Sequence, residues 1–200
     1  MATLEFFFDC SSPWTYLAFT RVQPVVARTG ASIVWKPILV GGVFNAVNRE
    51  VYDRRANPDP RKAAYSAKDL QDWARLTGLK IIMPPPVFPV RATLAMRCAL
   101  AAQDEGKVVE FSRSCFKTYW SDSKDISLSD VLKDVCTAAG LDAERILDRA
   151  QSADIKDRLR ANTDELIARG GFGSPTMFVD GTDMYFGNDR MELVEAALRR

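Results

Sequence analysis

The sequence predicts an α/β fold in which a helical insertion separates two stretches of β-structure. Three observations predict it. The chain opens with an aromatic-rich apolar run, a helix start and a second apolar run. A succession of helical patterns then follows with no strand between them. Strand signals return only in PTMFVD and DMYF, close to the C-terminus.

The elements follow in order. Residues 3–9 (TLEFFFD) are too short for a helix and read as a buried strand. Cys10-Ser11-Ser12-Pro13 is a turn in which Ser12 is the N-cap and Pro13 the first helical residue. The helix runs from Pro13 to about Arg28, bent by Pro24, with Gly30 just past its end. Residues 32–39 (SIVWKPIL) form a second strand, and Pro37 suits a sheet edge or a strand end. Such a unit is expected to have parallel strands and a right-handed crossover. Gly41-Gly42 then opens a long irregular stretch holding Asn48, Arg49, Arg54, Arg55, Pro58 and Pro60. Loops of that length are usually functional or mobile. Helical patterns occupy residues 62–77, 91–105, 108–121, 128–139, 143–150 and 154–169. Residues 175–180 and 183–186 are strands of a hairpin that turns at Asp180-Gly181, and residues 189–199 form a closing helix. With the insertion set aside, this is the element order of a thioredoxin-like fold. Residues 1–40 and 154–200 form that domain, and residues 62–150 form an inserted helical domain.

Composition narrows the function. A 200-residue chain that is 47% hydrophobic and 26% charged can build a core without disulfide or metal staples. Twenty-seven basic side chains against 26 acidic ones leave no field to favour nucleic acid or an acidic membrane. No apolar run approaches the roughly 18–20 residues of a membrane span. The first ten residues lack the basic flank and apolar stretch of a signal peptide, so a cytoplasmic protein is expected. Cys10, Cys98, Cys115 and Cys136 form no CxxC pair and no metal-ligand spacing, and they suit a reducing compartment. The absence of histidine removes Ser-His and Cys-His dyads and every His-containing metal site. A general base must then be a cysteine, a perturbed carboxylate or lysine, or a bound group.

Three segments carry candidate chemistry. Ser12-Pro13 stands where the first strand meets the first helix, so free N–H groups and the helix dipole favour an anion there. Ser12 either caps the helix, donates a hydrogen bond to a ligand's thiolate, or does both. Gly173-Ser174-Pro175-Thr176 precedes the late strand; Pro175 is either an ordinary strand-start proline or the cis-proline of the thioredoxin fold. In Phe186-Gly187-Asn188-Asp189-Arg190, glycine permits close approach of a ligand, while Asn188 or Asp189 either caps the last helix or binds an ammonium group.

Together these patterns resemble one family. Asp9-Cys10-Ser11-Ser12-Pro13-Trp14-Thr15-Tyr16 is similar to the Asp-x-x-Ser-Pro-x-x-Tyr opening of 2-hydroxychromene-2-carboxylate isomerases and kappa-class glutathione transferases, both of DsbA type. Gly41-Gly42-Val43-Phe44, Asp69-Leu70, Trp73-Ala74, Phe88-Pro89-Val90 and the Ser174 and Gly187 segments follow the same pattern in order. The resemblance covers nearly the whole chain. It implies a thioredoxin-like fold of DsbA/kappa type and glutathione as cofactor. Ser12 would contact the glutathione sulfur, Ser174 its backbone, and Gly187, Asn188 and Asp189 its γ-glutamyl end. Lys62 is either a solvated lysine or a contact for the glycyl carboxylate. The resemblance also implies a small aromatic substrate and a possible homodimer; Phe88 and the cationic stretch carrying Arg49, Arg54 and Arg55 are the candidates to contact that substrate, a bidentate arginine taking its carboxylate.

The implied reaction interconverts 2-hydroxychromene-2-carboxylate and trans-o-hydroxybenzylidenepyruvate. A kappa-like transferase or peroxidase and a non-catalytic binding module are the alternatives. The chain departs from the family at Arg91-Ala92-Thr93 and in the arginine-rich stretch 46–60. Cys10 reads as a core residue at a strand end, or else as a nucleophile.

Overall fold

The computed structural model describes residues Met1–Arg200. Strands β1 (Thr3–Phe8), β2 (Ser32–Pro37), β3 (Thr176–Val179) and β4 (Asp183–Phe186) form one sheet in the order β2-β1-β3-β4. β2 runs parallel to β1, whereas β3 and β4 are antiparallel to their neighbours. Pro37 is the last residue of an edge strand, where its missing N–H leaves no ladder bond unmade. Asp180 and Gly181 both have positive φ (48° and 77°), the geometry of a tight hairpin turn.

The sheet is covered on both faces because β1 alternates. Leu4, Phe6 and Phe8 enter the main core with Leu17 and Phe19 of α1 (Pro13–Thr29). Phe7 points the other way, into a small cluster with Ile38, Val43, Leu166 and Phe178. The main core continues through α5 (Thr93–Asp104), α6 (Val108–Phe116) and α7 (Ser129–Ala138) to α8 (Ala143–Arg149). Below the sheet lies α9 (Ala153–Ala168); above it α10 (Met191–Leu198) packs on α1, where Arg28 and Arg199 both pair with Glu195. No helix is long and apolar enough to cross a membrane.

Two expectations about secondary structure need correction. Residues 40–56 are not irregular: they form α2 (Val40–Val47) and α3 (Glu50–Ala56), followed by α4 (Pro60–Thr77). Gly42, in the first turn of α2, lies where that helix approaches α9 closely. A Cβ on Gly42 would lie 3.3 Å from Thr163 Cγ2. Thr163 Oγ1 also accepts the Leu39 N–H, which precedes α2. In α3 nothing is buried, so no apolar period marks it, although acidic Glu50 and Asp53 begin it and Arg54 and Arg55 end it. The helix expected over 108–121 is α-helical only to Phe116; Lys117–Ser121 is a π-helical turn that buries both Tyr119 and Trp120.

Phe8→Ala should cost about 3–5 kcal/mol of stability, because Phe8 is fully buried and four rings pack around it. Val34→Ala on the exposed edge strand should stay within about 0.5 kcal/mol. Urea denaturation of the two variants checks the contrast.

Candidate functional site

The site begins with the turn after β1. Ser12 is extended (φ −108°, ψ 121°), and its Oγ accepts the Thr15 N–H at 3.2 Å, as an N-cap does. The same Oγ donates to the Ser174 carbonyl at 3.2 Å. Pro13 brings no N–H, and the Trp14 N–H has no acceptor within the chain. A hydroxyl, an unpaired N–H and the positive end of a 17-residue helix therefore share one spot.

Asp9 holds this turn in place. Its carboxylate is 2% exposed and accepts the Ser11 N–H, the Ser11 hydroxyl and the Val40 N–H, each at 2.8 Å. The Asp9 N–H donates to Ser174 Oγ at 3.1 Å, and Thr15 Oγ1 shares a 2.8 Å bond with that same oxygen. Burial pushes the Asp9 carboxyl above its ordinary range, against the pull of its three donors. The Ser174–Pro175 peptide is cis, and the Ser174 N–H donates to no group of the chain.

The third segment follows β4. Gly187 has φ 105°, and a Cβ there would stand 2.7 Å from Asp189 Oδ1, so only glycine fits. Neither Asn188 nor Asp189 caps a helix: a 3₁₀ turn, Asn188–Arg190, intervenes before α10, and its start has no side-chain cap. The Asp189 carboxylate instead meets Arg190 at 3.1 Å. Asn188 is 4% exposed; its carbonyl accepts from Arg21, and its Nδ2 has no partner.

These segments line one cleft of about 1030 Å³, at the top of the roughly 300–1,000 Å³ range of small-molecule sites. Ser12, Ser174, Gly187, Asn188, Asp189, Phe88 and Arg54 all line it. Arg49 and Lys62 do not. Arg49 Nε is tied to the Asn45 carbonyl and faces a separate small hollow, while exposed Lys62 stands in the first turn of α4. Two further residues shape the site: Asp9, and Arg55 of the cationic stretch marked by the sequence. Asp9, though part of the quoted motif, draws its importance from Val40 and Ser174, far away in the chain. Arg55 joins the lining because the stretch 50–56 is helical.

All four cysteines are buried and none lines the cleft. The Cys10 thiol is pushed well above its usual range by burial, and the Cys10 carbonyl accepts Trp120 Nε1–H at 2.9 Å, as suits a core residue. The cleft offers N–H and O–H donors and two carboxylates but no thiol, so disulfide exchange by the chain's own cysteines is not open to it.

Comparison with known proteins agrees with this geometry. The model of the DSBA-like thioredoxin domain matches residues 3–199. The chain is 28% identical to a 2-hydroxychromene-2-carboxylate isomerase of Sphingobium xenophagum, over 98% of this chain and 97% of that protein. It is 28% identical to glutathione S-transferase kappa 1 of Homo sapiens, over 96% and 88%. A solved structure of 2-hydroxychromene-2-carboxylate isomerase superposes with a TM-score of 0.82 at 26% identity, covering 98% of this chain and 94% of that one.

Asp9 yields a pH prediction. Its native pKa is raised, so the folded state holds the proton more tightly than the unfolded state. Stability should therefore fall, relative to Asp9→Asn, as pH rises from the unfolded value of about 3.9 through the native one, and stay level above it. Denaturant midpoints of both proteins across that range check the sign; a relative rise would show the carboxylate to be favoured by folding.

Proposed function

The chain belongs to the DSBA-like thioredoxin domain family, and from that membership we propose that it is a glutathione-dependent isomerase. Its reaction interconverts 2-hydroxychromene-2-carboxylate and trans-o-hydroxybenzylidenepyruvate in aromatic-compound degradation. One observation carries the reading. A hydroxyl, Ser12 Oγ, occupies the helix N-terminus beside the cis Ser174–Pro175 peptide, in a cleft that no cysteine lines. Buried, sparse thiols also suit a cytoplasmic setting, and a homodimer belongs to the same reading.

The residues present fit glutathione. Unsatisfied donors belong to residues of the cleft wall: the Trp14 and Ser174 N–H groups, and the Nδ2 of Asn188, which is buried behind it. When bound, glutathione would supply a thiolate, a nucleophile able to react reversibly with a conjugated carbon and so permit double-bond isomerisation. The protein's part is to bind and polarise. Ser12 turns its proton from the Ser174 carbonyl toward the sulfur, and the Trp14 N–H and the α1 dipole favour negative charge there. The Ser174 N–H and carbonyl pair with peptide groups of the tripeptide. The Asp189 carboxylate receives the α-ammonium, with Gly187 leaving room for it and Asn188 adding a donor. The reading makes no use of Lys62.

A kappa-like transferase or peroxidase is the second reading, favoured by kappa relatives that match at nearly the same identity and coverage. The two separate by product. With catalytic glutathione, the absorbance spectrum of 2-hydroxychromene-2-carboxylate should relax to an equilibrium mixture while glutathione stays undiminished. Consumption of glutathione would favour the transferase, and tight binding without turnover a binding module.

Ser12→Ala should slow turnover and raise the pKa of bound thiol by about one to two units, the equivalent of one charge-assisted hydrogen bond. Glutathione affinity should be largely kept by Ser174 and Asp189. Thiolate absorbance of the complexes against pH reads this; matching titrations with lost activity would make Ser12 a nucleophile or proton donor instead.

A further inference from the structure

Arg54 and Arg55, at the end of α3, are the only cations lining the cleft; its other charged side chains are Asp69 and Asp189. The arginines differ in what already holds them. Arg54 turns back on its own helix, with Nε directed to the Glu50 carbonyl at 3.4 Å and Nη2 3.6 Å from the Glu50 carboxylate. The Arg55 side chain makes no hydrogen bond and no ion pair. Its guanidinium carbon lies instead 5.7 Å from the Phe44 ring centre and 5.6 Å from that of Phe88. One ring belongs to α2 and the other to the segment between α4 and α5, so Arg55 reaches across the cleft. Phe44 also lies beside the site's floor: a Cβ on Gly173, next to Ser174, would stand 3.8 Å from its ring.

We propose that Arg55 is the specificity-determining residue of this cleft and takes the carboxylate of a planar, conjugated aromatic acid. Aromatic rings engage a guanidinium without using its N–H groups as a carboxylate does, so the planar fork stays available. Such a fork matches a carboxylate in bidentate fashion, and an unpaired one beside apolar rings is the group such an anion would find. The rings that steady Arg55 also offer surfaces for a conjugated ligand to stack on. Asp69 and Asp189 repel an anion from their own parts of the cleft and so help fix which way round the acid lies. The proposal deepens the isomerase reading and rests on it: Arg55 would separate carboxylated substrates from neutral electrophiles.

The test is designed not to depend on turnover or on glutathione. Binding of trans-cinnamate and of uncharged trans-cinnamamide is measured by calorimetry at low ionic strength. Wild type should bind the acid at least about tenfold more tightly than the amide, a difference of about 1.4 kcal/mol. Arg55→Gln should bring the ratio close to one, and Arg55→Lys should restore part of it, since lysine keeps the charge without the fork. Arg61→Gln, which removes the same charge outside the cleft, should leave the ratio intact. No preference in wild type, a preference surviving in Arg55→Gln, or its loss in Arg54→Gln alone would each overturn the assignment. Glutathione titrations of the same proteins answer separately. Failure of wild type to bind glutathione overturns the functional reading, while the cinnamate ratio still decides Arg55.

Discussion

The carboxylate of Asp9 is the constraint on which the site depends. It sits just past the end of β1, which carries core residues on both faces, and it accepts three hydrogen bonds from within the chain. Two of them shape the Ser11 turn, which sets the entry to α1. The third holds the first residue of α2. The Asp9 N–H binds Ser174, so segments near residues 9, 40 and 174 meet around one residue. Such an acid is costly to bury, and a network of this kind is sound only when every member is satisfied. Replacing it with an apolar residue would leave several donors unpaired in the interior.

That network leaves the groups facing the cleft comparatively uncommitted. Ser174 spends its hydroxyl inward, on Asp9 and Thr15, which leaves its backbone N–H unused. Ser12 spends its lone pair on the cap and keeps a donor that can turn. The division is physical: around Asp9 the buried polar side chains are satisfied within the chain, while backbone N–H groups at the cleft wall retain capacity for a ligand. It is the feature that makes glutathione a reasonable proposal for a chain without histidine, and it would serve a transferase as well as an isomerase.

Sequence and structure differ most around the arginines. Read locally, the stretch after Val40 has paired glycines, scattered charge and two prolines, all of which suggest a loop. It becomes helical through contacts that a local reading cannot supply. Val43 fills the cluster around Phe7, and Thr163 binds the Leu39 N–H ahead of α2. Helix geometry then turns Arg49 away from the cleft and Arg54 and Arg55 toward it. A pattern of charges was visible in the sequence; which of them reach the cleft was not.

What the sequence determined by itself is what short-range chemistry controls. The Ser12-Pro13 helix start, the Asp180-Gly181 hairpin, the parallel opening unit and the thioredoxin-like element order rest on residues a few positions apart, and each was legible. So was the exclusion of His-dependent chemistry, which needs only a count. Tertiary structure decided what depends on meetings across the chain. It set Asp9 against Val40 and Ser174, left Asn188 Nδ2 buried and unpaired instead of at a cap, and brought Arg55 within cation–π reach of both Phe44 and Phe88. The reason is that a side chain's role follows from its partners and its solvation, and for these residues both are fixed only once distant segments have packed.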